Sequence, residues 1–185
     1  VGLHTLTNMG AKQKRYSEIV FDPSEWRRLA KELFAAATAL EPRLEKFWEG
    51  VRDGAWQDGQ MAVYFMLCAY ALENVMKATL VEMEIAKNPK PSAQGHLPKS
   101  LKGHDLVALA QRCGKCELAE EYASILMRLS RSAVWYGRYP VPISSNALDT
   151  LDTLPSGEPI SLSMYASNDR NEVRHLLREF GLEVV

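Results

Sequence analysis

The stretch from Gln60 to Leu80 constrains this chain more than any other, because it is apolar almost all the way round a helix. A surface helix shows one apolar stripe, whereas a helix apolar on every side has to be enclosed by other elements. Its uncharged part, Met61 to Leu72, stops at Glu73, far short of the ~20 residues needed to cross a bilayer. Residues 60–87 are therefore expected to form the central helix of a soluble core, with no membrane span. The chain's 46% apolar and 24% charged residues suit a folded domain, and 185 residues can enclose a core without staples.

The rest of the chain reads as helices that cover this one. Residues 1–20 show no sustained apolar period and read as a flexible leader. Phe21-Asp22-Pro23-Ser24-Glu25-Trp26 carries a helix start: Asp22 as N-cap, Pro23 at the first helical position, Glu25 as capping-box partner, and Phe21 with Trp26 as a hydrophobic staple. Trp26, Leu29, Leu33, Ala36, Leu40, Leu44, Phe47 and Val51 then recur at spacings of three and four, with Pro42 placed to bend this helix or divide it. Asn88 to Gly103, with three prolines and two glycines, reads as an irregular connection. A short helix follows at Asp105 to Arg112 and another at Glu117 to about Val134. Gly137, Pro140 and Pro142 end it. The segment to Tyr165 is a loop excursion with a short strand expected near Pro159 to Ser163. Asp169 and Glu172 suggest a second capping box, opening a last amphipathic helix that Gly181 stops. The expected fold is all-α, a bundle of four to five helices over residues 21–142, with a loop-rich extension and final helix over 143–185 packed on the same domain.

The formal net charge of −1 gives no global attraction to nucleic acid or an acidic membrane, so an anion site must be local. Cys68, Cys113 and Cys116 cannot all pair, which favours a reducing compartment and the cytoplasm as address. Cys113-Gly114-Lys115-Cys116 has the spacing of half a zinc site or a redox pair, with His96 and His104 as further ligands, but the strand-then-helix setting of the redox version is missing. Gly-rich phosphate loops, His-Glu-x-x-His pairs, nucleophile elbows and EF-hand loops are absent from the sequence. No cofactor is expected.

The densest polar and aromatic cluster is Arg128, Arg131, Ser132, Trp135, Tyr136, Arg138 and Tyr139. Arg128 and Arg131 share a helix face, and with Arg138 they form a set of guanidinium forks that can converge on a phosphate beside aromatics able to stack on a base. The plainer alternative is that the aromatics plug the bundle end and the arginines pair with acidic neighbours. In Gly103-His104-Asp105-Leu106, Asp105 suits an N-cap, and His104 is either a general base or a hydrogen-bonded residue at a helix start. Glu73 and Lys77, spaced i, i+4 on the central helix, read as a structural pair.

Tyr70 to Leu80 with its Glu73 and Lys77, then Gly103-His104-Asp105-Leu106 with Leu109 and Ala110, then the arginine-bearing helix, together resemble the HEPN family, the higher eukaryote and prokaryote nucleotide-binding domains. The resemblance covers roughly residues 60–142. It implies an up-and-down helical bundle, often a homodimer, that binds a nucleotide or RNA or serves as the partner of a nucleotidyltransferase. Active members are metal-independent endoribonucleases with an arginine, a polar residue, and a histidine four to six residues after the arginine. Arg131-Ser132 matches the beginning of that motif, but Tyr136, Gly137 and Arg138 follow with no histidine. A tyrosine titrating near ~10 is a poor base for a ribose hydroxyl. The sequence thus points to a binding domain without efficient catalysis, using Arg131, Arg138, Tyr136 and His104. The alternatives are a defence or toxin endoribonuclease using the same patch, with His104 supplying the imidazole if its loop folds over the Arg131 helix end, and a structural interaction module.

Overall fold

The computed structural model describes residues 2–52, 61–93, 95–136, 151–161, 166 and 168–184. Eight α-helices are found among them: α1 (Gly2–Val20), α2 (Pro23–Thr38), α3 (Glu41–Arg52), α4 (Met61–Lys87), α5 (Leu106–Arg112), α6 (Cys116–Glu121), α7 (Ala123–Arg131) and α8 (Asp169–Glu179). A 3₁₀ turn at Lys99–Leu101 and a π-helical turn at Ser132–Tyr136 complete the helical part. The expected all-α class holds.

α4 is the axis of the molecule. Tyr64, Phe65, Cys68, Leu72, Val75 and Met76 are buried along it, as are Glu73 and Lys77. It packs along α2 and touches α5, α7, α8 and the π-helical turn. Each enclosed large apolar side chain contributes roughly 1.5–3 kcal/mol.

Three differences from the sequence reading raise the helix count. Residues 2–20 form a helix where a flexible leader is expected. Its last turn is held in place: Val20 is buried, Tyr16 packs against the core, and the Val20 carbonyl accepts the Trp26 indole N–H at 2.9 Å. Pro42 does divide the first long helix, sitting in the opening turn of α3, where its missing N–H costs nothing. The helix expected over 117–134 breaks at Tyr122 into α6 and α7.

Local chemistry sets the ends. Asp22 caps α2, its carboxylate accepting the Ser24 N–H at 2.9 Å, while Glu25 turns instead to Arg28 at 2.9 Å. Asp105 caps α5 by accepting the Ala108 N–H at 3.0 Å. At α8 the expected capping box does not form: Asn168 occupies the cap position with no side-chain cap bond, and Asp169 is drawn into the core. Val173, Leu176, Leu177 and Phe180 are buried as the amphipathic pattern requires, and Gly181 ends the segment at φ +78°.

The connection from Asn88 to Gly103 is irregular but anchored. Ala93 and Leu101 are buried, and the Ala93 N–H donates to Ser17 Oγ of α1 at 3.1 Å. The strand expected near residue 159 is found at β2 (Pro159–Ser161), antiparallel to β1 (Leu151–Thr153) with Asp152 opposite Ile160.

Candidate functional site

Two motifs far apart in sequence meet over α4. Glu73 and Lys77 form the expected i, i+4 pair, with Lys77 Nζ 2.5 Å from Glu73 Oε1 and both side chains buried. The second carboxylate oxygen, Oε2, lies 2.7 Å from His104 Nδ1. Glu73 is therefore shared between a buried ammonium and an imidazole whose ring remains 46% exposed. Lys77 also sits 5.9 Å from the centre of the Trp26 ring, so one buried ion pair links α2, α4 and the loop before α5. Burying two charges is tolerable only because each has a close partner.

His104 is aimed by its neighbours on both sides. Gly103 adopts φ +99° and a Cβ there would meet nothing within 4 Å, so glycine serves the backbone conformation and not a tight packing. On the other side, the Leu106 N–H donates to Ser130 Oγ at 2.9 Å, and that hydroxyl donates to the Leu126 carbonyl at 2.7 Å. Ser130 directly precedes Arg131, the last residue of α7. The Gly103-His104-Asp105 turn is thus fastened to the C-terminal turn of α7. The Tyr70 hydroxyl, donating to the Ala133 carbonyl at 2.7 Å, ties α4 to the π-helical turn that follows Arg131. Ser130 and Tyr70 escape a search for charged clusters; a serine in mid-helix with a free lone pair is the signal that could have found the first.

The arginine cluster comes apart. Arg128 is not available to a ligand, which corrects the expectation of three converging guanidinium groups: its fork grips Asp169 of α8, Nη1 to Oδ2 at 2.5 Å and Nη2 to Oδ1 at 2.9 Å. Side-chain exposures of 9% and 2% put both charges inside, and the Ala166 N–H adds a third bond to that carboxylate at 2.7 Å. Arg131 is partly buried at the helix end and Ser132 is fully buried. The side chains of Trp135 and Tyr136, and the whole of Arg138 and Tyr139, lie outside the described residues.

The cysteine pair gives no metal centre. Cys113 Sγ donates to the Met76 carbonyl at 3.3 Å, and burial pushes its thiol up to about 11 despite the opposing charge of Arg112. Cys116 is exposed, and His104 is engaged by Glu73. No group of three or more His, Cys, Asp or Glu able to hold a metal ion gathers among the described residues.

Chemically, the carboxylate on His104 Nδ1 favours the tautomer that carries its proton there. Nε2 is then left as an acceptor in a half-exposed ring, beside the arginine-bearing helix end. Such a group can accept a hydrogen bond from a ligand hydroxyl or remove its proton. Among the described residues no helix is long and apolar enough to cross a membrane. No family model, curated protein or solved structure matches the chain.

Proposed function

We propose that this chain is a HEPN-like nucleotide- or RNA-binding domain, with an up-and-down bundle order and a homodimeric state, acting where the His104 turn meets the end of α7. One observation carries the reading: the Leu106 N–H donates to Ser130 Oγ at 2.9 Å while His104 holds Glu73. The three segments of the resemblance, the Glu73 helix, the Gly103-His104-Asp105-Leu106 turn and the Arg131 helix, therefore converge. Arg131 supplies the phosphate-binding cation and His104 the polar contact to a ribose or base. A nucleotidyltransferase is the protein partner that goes with this class.

A specific feature favours metal-independent endoribonuclease activity as a second reading. The chain lacks the histidine that should follow Arg131, yet Glu73 on Nδ1 leaves His104 Nε2 as a base candidate beside the same helix end. The test is to incubate wild type, Arg131→Ala and His104→Ala with labelled RNA in the presence of a chelator. Filter retention scores binding and a gel scores cleavage. Binding predicts retention that weakens with salt and is lost in Arg131→Ala. Cleavage abolished in His104→Ala makes the chain a nuclease. Neither retention nor cleavage overturns both readings and leaves a protein-interaction module.

A further inference from the structure

The largely apolar pocket between α1, α2 and α4 lies away from the arginine helix and has the character of a small-molecule site. It encloses about 340 Å³ and is lined by Tyr16, Ile19, Val20, Trp26, Leu29 and Leu97, with Asn74 from α4 and the Glu25 and Arg28 side chains. That volume lies at the lower end of the range for drug-sized ligands. The sequence pattern would turn Leu29 into the core, but it is 41% exposed and Ile19 52% exposed. The α2 face that is buried runs through Ala30, Phe34 and Ala37 instead, which leaves Leu29 to the pocket.

Three features define what would fit. Trp26 is fixed, because its Nε1–H is donated to the Val20 carbonyl and its ring lies against the Lys77 ammonium. Its indole therefore offers a preset flat wall and no free donor. Asn74, only 8% exposed, donates Nδ2 to the Tyr70 carbonyl at 2.7 Å, while no donor among the described residues is paired with its Oδ1. A buried amide oxygen lining an apolar pocket calls for an N–H or O–H from the occupant. The remaining charges cancel: Arg28 is held by Glu25 and Glu32 at 2.9 and 2.7 Å.

We propose that this pocket binds an uncharged planar aromatic ring carrying one N–H or O–H donor, which lies against Trp26 and donates to Asn74 Oδ1. The site is independent of the RNA reading. A free small molecule is the occupant the enclosed volume and the single buried acceptor favour over a helix of a second copy, which would seek a long apolar seam without a buried amide at its base.

The test uses two probes, benzimidazole and N-methylbenzimidazole, which differ in the ring donor. They are titrated into the full chain while the Trp26 indole and Asn74 amide signals are followed by nitrogen-edited NMR. Benzimidazole should shift both signals saturably and bind about tenfold more tightly than the methylated ring, the worth of one buried hydrogen bond. Asn74→Leu should erase that preference while leaving both probes bound. Leu29→Trp, which fills the mouth and leaves Asn74 in place, should abolish binding of both and guards against a folding defect in the first variant. Equal affinity of wild type for the two probes, or no saturable shift, overturns the proposal. Shifts at Ile19 and Leu29 that follow protein concentration instead of probe concentration overturn it in favour of a second copy.

Discussion

Arg128 with Asp169, and Lys77 with Glu73 and His104, are both buried ionic clusters, yet they differ in where they end. In the first, both side chains are more than nine-tenths enclosed and every printed bond joins two parts of the same core. In the second, the carboxylate is enclosed but its chain of bonds comes out at an imidazole that is nearly half exposed. A closed ionic cluster fastens elements together, here α7 to α8. An open one carries the orientation set by a buried charge to a group that solvent or a ligand can reach. The pattern of charged residues along the sequence does not separate the two; what separates them is the exposure of the last member.

The largest effect that can break this comparison is expected at Asp169. Asp169→Asn leaves the Arg128 guanidinium enclosed without a countercharge, which costs about 3–5 kcal/mol when one partner of a buried pair is removed. Urea denaturation of the variant should show a midpoint displaced accordingly, with an unchanged slope. A loss below about 1 kcal/mol would be the behaviour of an exposed pair, and the closed cluster would then be no different from the open one.

His104→Ala sharpens the contrast from the other side. The imidazole is half exposed and Glu73 keeps Lys77 at 2.5 Å, so the loss of stability should stay under about 1 kcal/mol. RNA retention or cleavage should nevertheless fall in the assay described for the proposed function. A variant that unfolds while binding is unaffected would make His104 a structural residue and close the cluster.

Much of this architecture is written in local chemistry. The enclosed helix over 61–87, the Asp22 and Asp105 caps, the division at Pro42 and the stop at Gly181 each follow from a few neighbouring residues, and each is found. What is not legible depends on contacts distant in sequence. α1 has too little apolar period to predict, and packs through Tyr16 and Val20. Asp169 sits where a capping residue belongs, but Arg128, forty-one positions earlier, holds it more strongly than a helix terminus would. The Glu73–Lys77 pair is visible from its spacing, whereas the His104 contact spans thirty-one positions and needs the fold. The arginine patch failed for the same reason: helix spacing places Arg128 and Arg131 on one face, but not whether that face meets solvent or α8.

The smallest of these effects uses the cysteines as reporters, because they sample closed and open surroundings. Cys68 lies fully buried beside Tyr64, whose hydroxyl donates to Glu41 at 3.0 Å, and Glu41 in turn takes a bidentate bond from Arg174 at 2.6 and 2.7 Å. Burial is the main cause that raises both the Cys68 thiol and the Tyr64 phenol above their ordinary values. The thiolate is the reactive form. At mildly alkaline pH a maleimide or iodoacetamide should therefore label exposed Cys116 first, Cys113 slowly, and Cys68 only as fast as the chain opens. The sign of the linked stability is fixed by the same groups. A thiol whose folded value is raised, as that of Cys113 is from 9.0 to about 11, costs nothing below the unfolded value, where both states hold the proton. Stability should then decline as pH climbs from about 9 toward 11, because the unfolded chain loses protons that the fold retains. Cys113→Ala should flatten part of that decline, and Cys68→Ala a further part. A decline that survives both substitutions would have to come from Tyr64, and Tyr64→Phe, leaving Glu41 with Arg174, would then remove it.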